Sequence, residues 1–463
     1  MPEKTQVRRR VRIFAGALLL IYIFYLLEPV NVYLWLSLKE TFVSAAVTVT
    51  AAFYLYFRKL REGPEIKLLA LLWLWYAVTL LLHGPNQLIY RFPQLLDMTL
   101  PILFLAVGFA LDREERLRFL DWVAAVLGLF FFILGVIGIA AFILRISFIN
   151  PITERVIAGV EKAASFSRLN VADTNPNASA LWYFMCFFLM VFEFFKCRKR
   201  RWRVPICLAA AVYYVTLALT YSRNVKAAFS GCVAMLLVLL ALERLRGSQK
   251  LKKAAVILCI LAAAVPLTYL SFDLTTELMS RAAAQAMGET ILDASGKRVK
   301  IDRLYADPRA LSESVPDLAG RTVIFKSAFI TLAREPDRLL RGSAEEDMMS
   351  VANQVIPKPH NHFHNAFLQV LVMMGLPGFL LAAAFSLRLI RCMIKLFFSE
   401  EEISFPIKLL TLPLTGFFFY SMLEVLLFTV VDIRSLFFFL LAGIVLAEGR
   451  ETYPYEQKRP LWR

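Results

Sequence analysis

Apolar runs long enough to cross a lipid bilayer recur throughout this chain, and they constrain its fold more than any other feature. A helix of roughly 20 apolar residues spans the hydrocarbon layer of about 30 Å. About twelve such segments can be marked out. The expected spans are Ile13–Val30, Leu36–Phe57, Leu68–Leu82, Leu96–Leu111, Trp122–Leu144, Ala178–Phe195, Val204–Leu219, Ala227–Leu242, Ala254–Leu270, Ala366–Ile390, Leu409–Leu427 and Leu436–Ala447. Hydrophobic residues make up 59% of the 463 and charged residues only 19%, with a mean hydropathy of +0.61, which excludes an ordinary soluble domain. In hydrocarbon each spanning segment must satisfy its own backbone polar groups, as helices do. The expectation is an all-α polytopic membrane protein of about twelve transmembrane helices, with one long outer-face loop containing short helices.

The net charge of +16 invites a nucleic-acid reading, but its placement argues against one. Lys and Arg cluster in alternate connections: Arg8 to Arg12, Arg58 to Arg61, Arg113 to Arg118, Lys196 to Arg203, Arg244 to Lys253, Arg388 to Lys395, and Lys458 with Arg459. The connections between them are nearly free of basic residues. This is the positive-inside pattern, so both termini are expected on the cytoplasmic side of the membrane. The excess charge then serves topology and attraction to anionic membrane lipid. The first apolar run follows Arg8-Arg9-Arg10 without a small-residue cleavage site, so it reads as an anchor. The six cysteines fall in spans or at cytoplasmic edges and imply no disulfide framework.

The same alternation divides the chain. Residues 1–271 form N-terminal membrane helices, about nine spans. Residues 272–365 form a large extracytoplasmic loop, and residues 366–463 form about three further spans and a cytoplasmic tail. Three of the four histidines lie in the run His360-Asn361-His362-Phe363-His364-Asn365, at the end of the long loop. An apolar chain that gathers its near-neutral titrating groups at a membrane boundary points to handling of protons or ligands. His360 and His364 have the i,i+4 spacing of a zinc pair on a helix, but no carboxylate lies within the cluster.

Two arginines stand out on the outer face. Arg223, in Thr220-Tyr221-Ser222-Arg223-Asn224, is either an interfacial snorkelling residue or a phosphate ligand. Arg321 opens a stretch in which Val323, Ile324, Phe325, Ala328, Phe329 and Leu332 mark an amphipathic helix. A cation there opposes the helix dipole, so Arg321 is expected to reach out to an anion. Glu424, in the span Leu409–Leu427, either pairs with an arginine or makes a polar contact between helices.

His364-Asn365, then nine residues, then Gly375-Leu376-Pro377-Gly378 resembles the signature of the O-antigen ligase and polysaccharide polymerase superfamily. Leu368 and Gln369 suit that pattern. Ser222-Arg223 resembles the family's Ser-Arg element. Gly320-Arg321 with Phe325 resembles its Arg-x-x-x-Trp element, with Phe in place of Trp. Pro336 to Gly342 resembles its Pro-Leu-x-Gly segment, and Asn175-Pro176-Asn177 its Asn-Pro-Asn step. His360 and His362 have no place in the pattern.

The resemblance implies a metal-independent, inverting membrane glycosyltransferase, without cofactor. It would move a glycan from an undecaprenyl-pyrophosphate donor to an acceptor sugar hydroxyl on the outer face, as ligase or polymerase. It implies His364 as the residue that activates the hydroxyl and Arg223 and Arg321 as the pyrophosphate clamp. Ser222, Asn365, Asn177 and Arg168 would line the donor or acceptor site. Asn365 either fixes the imidazole tautomer or caps the next helix. Gly375 and Gly378 let a helix or a lipid chain approach closely. A lipid-linked oligosaccharide flippase is the alternative, although a flippase is expected to spread charges through a central cavity.

Overall fold

The computed structural model describes residues 9–13, 15–17, 19–20, 63–149, 156–162, 167–171, 175–247, 249–287, 290–292, 298–300, 321–343, 348–356, 360–399, 405–429 and 433–452. The span Leu36–Phe57, most of Ile13–Val30, Gly320 and the C-terminal tail lie outside the described residues.

The chain is mostly helical. Among the described residues seven helices are long and apolar enough to cross a membrane: α1 (Pro64–Leu82), α4 (Arg113–Leu144), α5 (Pro176–Lys196), α6 (Arg200–Leu219), α7 (Arg223–Arg244), α8 (Lys250–Met287) and α11 (Ala366–Phe398). Between α1 and α4 lie α2 (Pro85–Asp97) and α3 (Thr99–Ala110). They form a pair bent by 60° between Phe92 and Gln94, which would make an eighth span if counted as one. Pro93 sits at the bend, where a missing N–H breaks the helical ladder.

The expected count of about twelve therefore does not carry over to the described residues. The apolar run Leu409–Leu427 folds as α12 (Phe405–Leu409), α13 (Thr411–Ser421) and a non-helical segment after it, too short for a straight crossing. The final helix α14 (Ile433–Thr452) carries Arg434, Glu448, Arg450 and Glu451, and it packs inside the bundle against α3. Its approach is very close: a Cβ at Gly443 would lie 2.2 Å from the Leu105 carbonyl oxygen, so only a glycine fits.

Leucines along α1, α4 and α8, such as Leu71, Leu74, Leu129 and Leu258, face outward. An apolar exterior around a packed apolar core is what a lipid-embedded bundle requires. Two small antiparallel sheets decorate it. One has strand order β1 (Ser147–Ile149), β2 (Val156–Lys162), β3 (Ser167–Val171); the other pairs β4 (Thr290–Leu292) with β5 (Arg298–Lys300). Helix α8 runs unbroken past Phe272 to Met287.

The basic connections gather at one end of the bundle. Glu65 at the start of α1 accepts from Arg388 late in α11, at 2.8 Å, and from Arg450 of α14. Arg116, early in α4, donates to Glu448 at 3.0 Å and Glu451 at 2.7 Å. Lys408 of α12 donates to Glu243 near the end of α7 at 2.6 Å. The opposite ends of α7 and α11, about 33 Å or more away at 1.5 Å per residue, carry the motif residues.

Candidate active site

The N-terminal part of α11 is set by its cap and its break. Asn365 is the N-cap: its Oδ1 accepts from the backbone N–H of Phe367 at 2.9 Å and Leu368 at 3.0 Å. Such a cap contributes about 1 kcal/mol. Its Nδ2 donates to the Met422 carbonyl at 2.9 Å, which ties α11 to the segment after α13. Of the two roles open for Asn365, capping is the one seen.

After nine intervening residues Gly375 adopts φ 67°, ψ −174°, and α11 breaks. The short helix α10 (Arg338–Arg341) docks into the break. A Cβ at Gly375 would lie 2.7 Å from the Leu340 carbonyl oxygen. Ser343 answers from α10's end, donating from its N–H to Met373 O and from its hydroxyl to Val372 O. The spacing from His364 to Gly375 is thus the length of the helical piece that the loop holds in place.

The histidine run is bound on several sides. The Asn353 side chain both donates to the His360 carbonyl (3.1 Å) and accepts from its N–H (2.9 Å). Gln369 Oε1 accepts from the N–H of the buried Phe363 at 3.1 Å. His364 has φ 50°. For a residue with a Cβ this left-handed region costs on the order of 1–2 kcal/mol, and such strain gathers at functional sites. Among the described residues the other non-glycine positive-φ positions are Arg145, Tyr221 and Phe428. The last two flank the starts and ends of elements that build this site.

At its centre is Glu424, a buried carboxylate just past the end of α13. Its Oε2 lies 2.9 Å from Nδ1 of His364. Its Oε1 accepts from Nη2 of Arg321 at 2.5 Å. Asn224 Oδ1 accepts from Nη1 of Arg321 at 2.9 Å, and Asn224 Nδ2 lies 3.5 Å from Oε1. Arg321 starts helix α9 (Arg321–Arg334), as the sequence suggested. The anion it reaches is the carboxylate of Glu424. Its unfavourable place at the helix start is offset by the Glu424 charge. Of the two roles open for Glu424, pairing with an arginine is the one observed.

The buried stripe of α9 also differs from the expected one. Ile324, Ser327, Ala328 and Thr331 are buried, while Val323 and Phe329 are exposed.

An ionised carboxylate can only accept, so Nδ1 of His364 carries a proton and Nε2 presents a lone pair. Burial pushes Glu424 up. The His364 hydrogen bond and the charges of Arg321 and the histidines outweigh that, and its pKa falls below its ordinary value. His362 packs edge-to-face against His364 with ring centroids 4.1 Å apart, and His360 does so at 5.5 Å. Burial first, then the neighbouring His364, lowers His362 to about 4. Burial and His364 also lower His360. Among the described residues no group of three or more His, Cys, Asp or Glu has the geometry of a metal centre.

Ser222 and Arg223 stand at the start of α7, next to Asn224. Arg223 is exposed and makes no ion pair with any described residue. Ser222 is buried, and its hydroxyl has no partner among the described residues. Arg168 on β3 donates to Thr220 O at 2.9 Å and to Asn177 Oδ1 at 2.8 Å, so this pair braces the turn that precedes Ser222. Asn175 caps α5 by accepting from the N–H of Asn177, with Pro176 at the first helical position. His83 caps the end of α1 through Thr79 O and takes no part in this cluster.

Asn224, Glu424 and Gln369 complete the site. The sequence flags Glu424 as an intramembrane acid and Gln369 through the motif, but gives Asn224 no role.

No curated protein matches the chain. Residues 206–383 match the family model described as O-antigen ligase, a stretch from within α6 to beyond the break in α11 that carries Ser222, Arg223, Arg321, His364 and Gly375. Glu424 lies outside the matched residues. Over that part of the chain the match supports a likeness to the O-antigen ligase-like superfamily.

Proposed function

We propose that the protein transfers a glycan from an undecaprenyl-pyrophosphate donor to an acceptor sugar hydroxyl at the outer face of the bacterial plasma membrane, as a ligase or polymerase of cell-surface polysaccharide. The family match supports the reaction class. The observation that carries the chemistry is the Glu424 carboxylate held between Arg321 and Nδ1 of His364. It leaves Nε2 of His364 as a base with a fixed tautomer.

In this reading Nε2 takes the proton of the acceptor hydroxyl. The hydroxyl oxygen bonds to the anomeric carbon while the bond from that carbon to the pyrophosphate oxygen breaks. One displacement inverts the anomeric centre. The departing pyrophosphate gains charge, which Arg223, exposed and unpaired among the described residues, is placed to meet. Arg321 has a different part: half committed to Glu424, it lends positive potential without being the main clamp. No resident metal or cofactor enters this scheme.

The reading is tested in cells that express wild type or His364→Ala at equal protein level. Loss of transfer with lipid-linked glycan accumulating on the outer leaflet is expected. Accumulated long chains would mean a ligase, and single repeat units a polymerase. Accumulation on the cytoplasmic leaflet would mean a flippase, and unchanged polysaccharide would remove His364 from the chemistry.

A further inference from the structure

His362 has no place in the family pattern, yet its ring is built into the site. Its Nδ1 lies 3.2 Å from the backbone N–H of His364, which donates to it. That N–H belongs to a residue at φ 50°, where the peptide turns away from any helical partner. The N–H would otherwise have to find an acceptor elsewhere at a half-buried position. Accepting at Nδ1 places the proton of His362 on Nε2, so the two neighbouring imidazoles hold opposite tautomers.

We propose that His362 is a positioning residue: it accepts the His364 backbone N–H and so holds the left-handed turn that aims the His364 ring at Glu424. The role requires an acceptor at the Nδ1 position, and therefore a neutral ring. The groups that face His362 are His360, His364, Glu424 and Arg321. Three of these four are or can become cationic, and together with burial they keep the ring unprotonated near neutral pH. The inference rests on His364 being the base, and it adds what fixes that base in place.

Asparagine places an acceptor oxygen near the position of Nδ1, whereas glutamine places its amide near Nε2. The test measures transfer in vesicles by purified wild type, His362→Asn, His362→Gln and His362→Ala. The donor is lipid-linked glycan extracted from His364→Ala cells. The Asn variant is expected to retain near-wild-type turnover. The Gln and Ala variants are expected to lose on the order of 10²-fold in kcat, as a misplaced catalytic group does, with donor KM unchanged. Equal rates for Asn and Gln, or full activity in Ala, would overturn the proposal. If the Ala variant fails to fold, the Asn and Gln pair still decides. Activity in purified His364→Ala would instead remove the base assignment, whatever the order of the His362 variants.

Discussion

The two ends of this bundle use the same device for different purposes. At the basic end, each of two buried carboxylates sits between two arginines: Glu65 between Arg388 and Arg450, and Glu448 between Arg113 and Arg116. At the other end Glu424 sits between an arginine and a histidine. Two arginines never titrate, so the first arrangement only fastens α1, α4, α11 and α14 together. Exchanging one arginine for a histidine makes the same carboxylate hold a group that can give and take a proton. A buried pair of this kind is weak evidence for stability, but it is strong evidence for fixed geometry.

The largest expected effect separates the ends on activity. His364→Ala should lower transfer by about 10²–10⁴-fold, the usual worth of a positioned base, measured as kcat in vesicles. Arg223→Ala should follow, at about 10²–10³-fold, the cost of removing one charge-stabilising donor. Arg223→Lys should recover only part of this if bidentate contact matters. A loss from Arg321→Ala much larger than that from Arg223→Ala would reverse the roles assigned to the two arginines.

At the basic end the outcome should be structural. Glu448→Gln leaves the buried Arg116 with less compensation, at a cost of about 1–3 kcal/mol. It should lower the unfolding midpoint in detergent while leaving transfer per folded molecule unchanged. A change in kcat there would mean that the two ends are coupled.

The smallest effect is a pH slope. His362 stays neutral in the folded chain down to about 4, against an ordinary value of 6.5. Between those values the unfolded chain binds the extra proton, so stability rises with pH across the window and falls on acidification. His362→Asn should flatten the decline between about pH 6.5 and 4 in thermal unfolding. What remains below the ordinary carboxylate value belongs to Glu424, whose lowered pKa contributes stability that is lost as pH falls.

Legibility in the sequence followed the range of the interaction. The spans Trp122–Leu144 and Ala178–Phe195 were readable because an apolar run is a local signal; the helices themselves start earlier, at Arg113 and Pro176, behind the N-caps Asp112 and Asn175. The segment Leu409–Leu427 misled because hydropathy reports apolar content and not where the chain must turn. It stops being helical at Ser421, and the non-helical residues beyond deliver Glu424 and Phe428. His364, Arg223 and Arg321 were legible as motif residues. That Glu424 pairs with an arginine was one of two readings the sequence left open; that the arginine is Arg321, shared with Asn224, was not legible, because these partners lie 103 and 97 residues away. The alternation of basic loops did anticipate that basic residues would share one end.

The most direct test of the account is a double-mutant cycle between Glu424 and His364. Transfer is measured for Glu424→Gln, His364→Ala and the double variant, with lipid-linked glycan as donor. If Glu424 works by holding His364, Glu424→Gln should lose about 10²-fold alone and nothing more once His364 is gone. Losses that multiply would contradict the account and give the carboxylate a separate role.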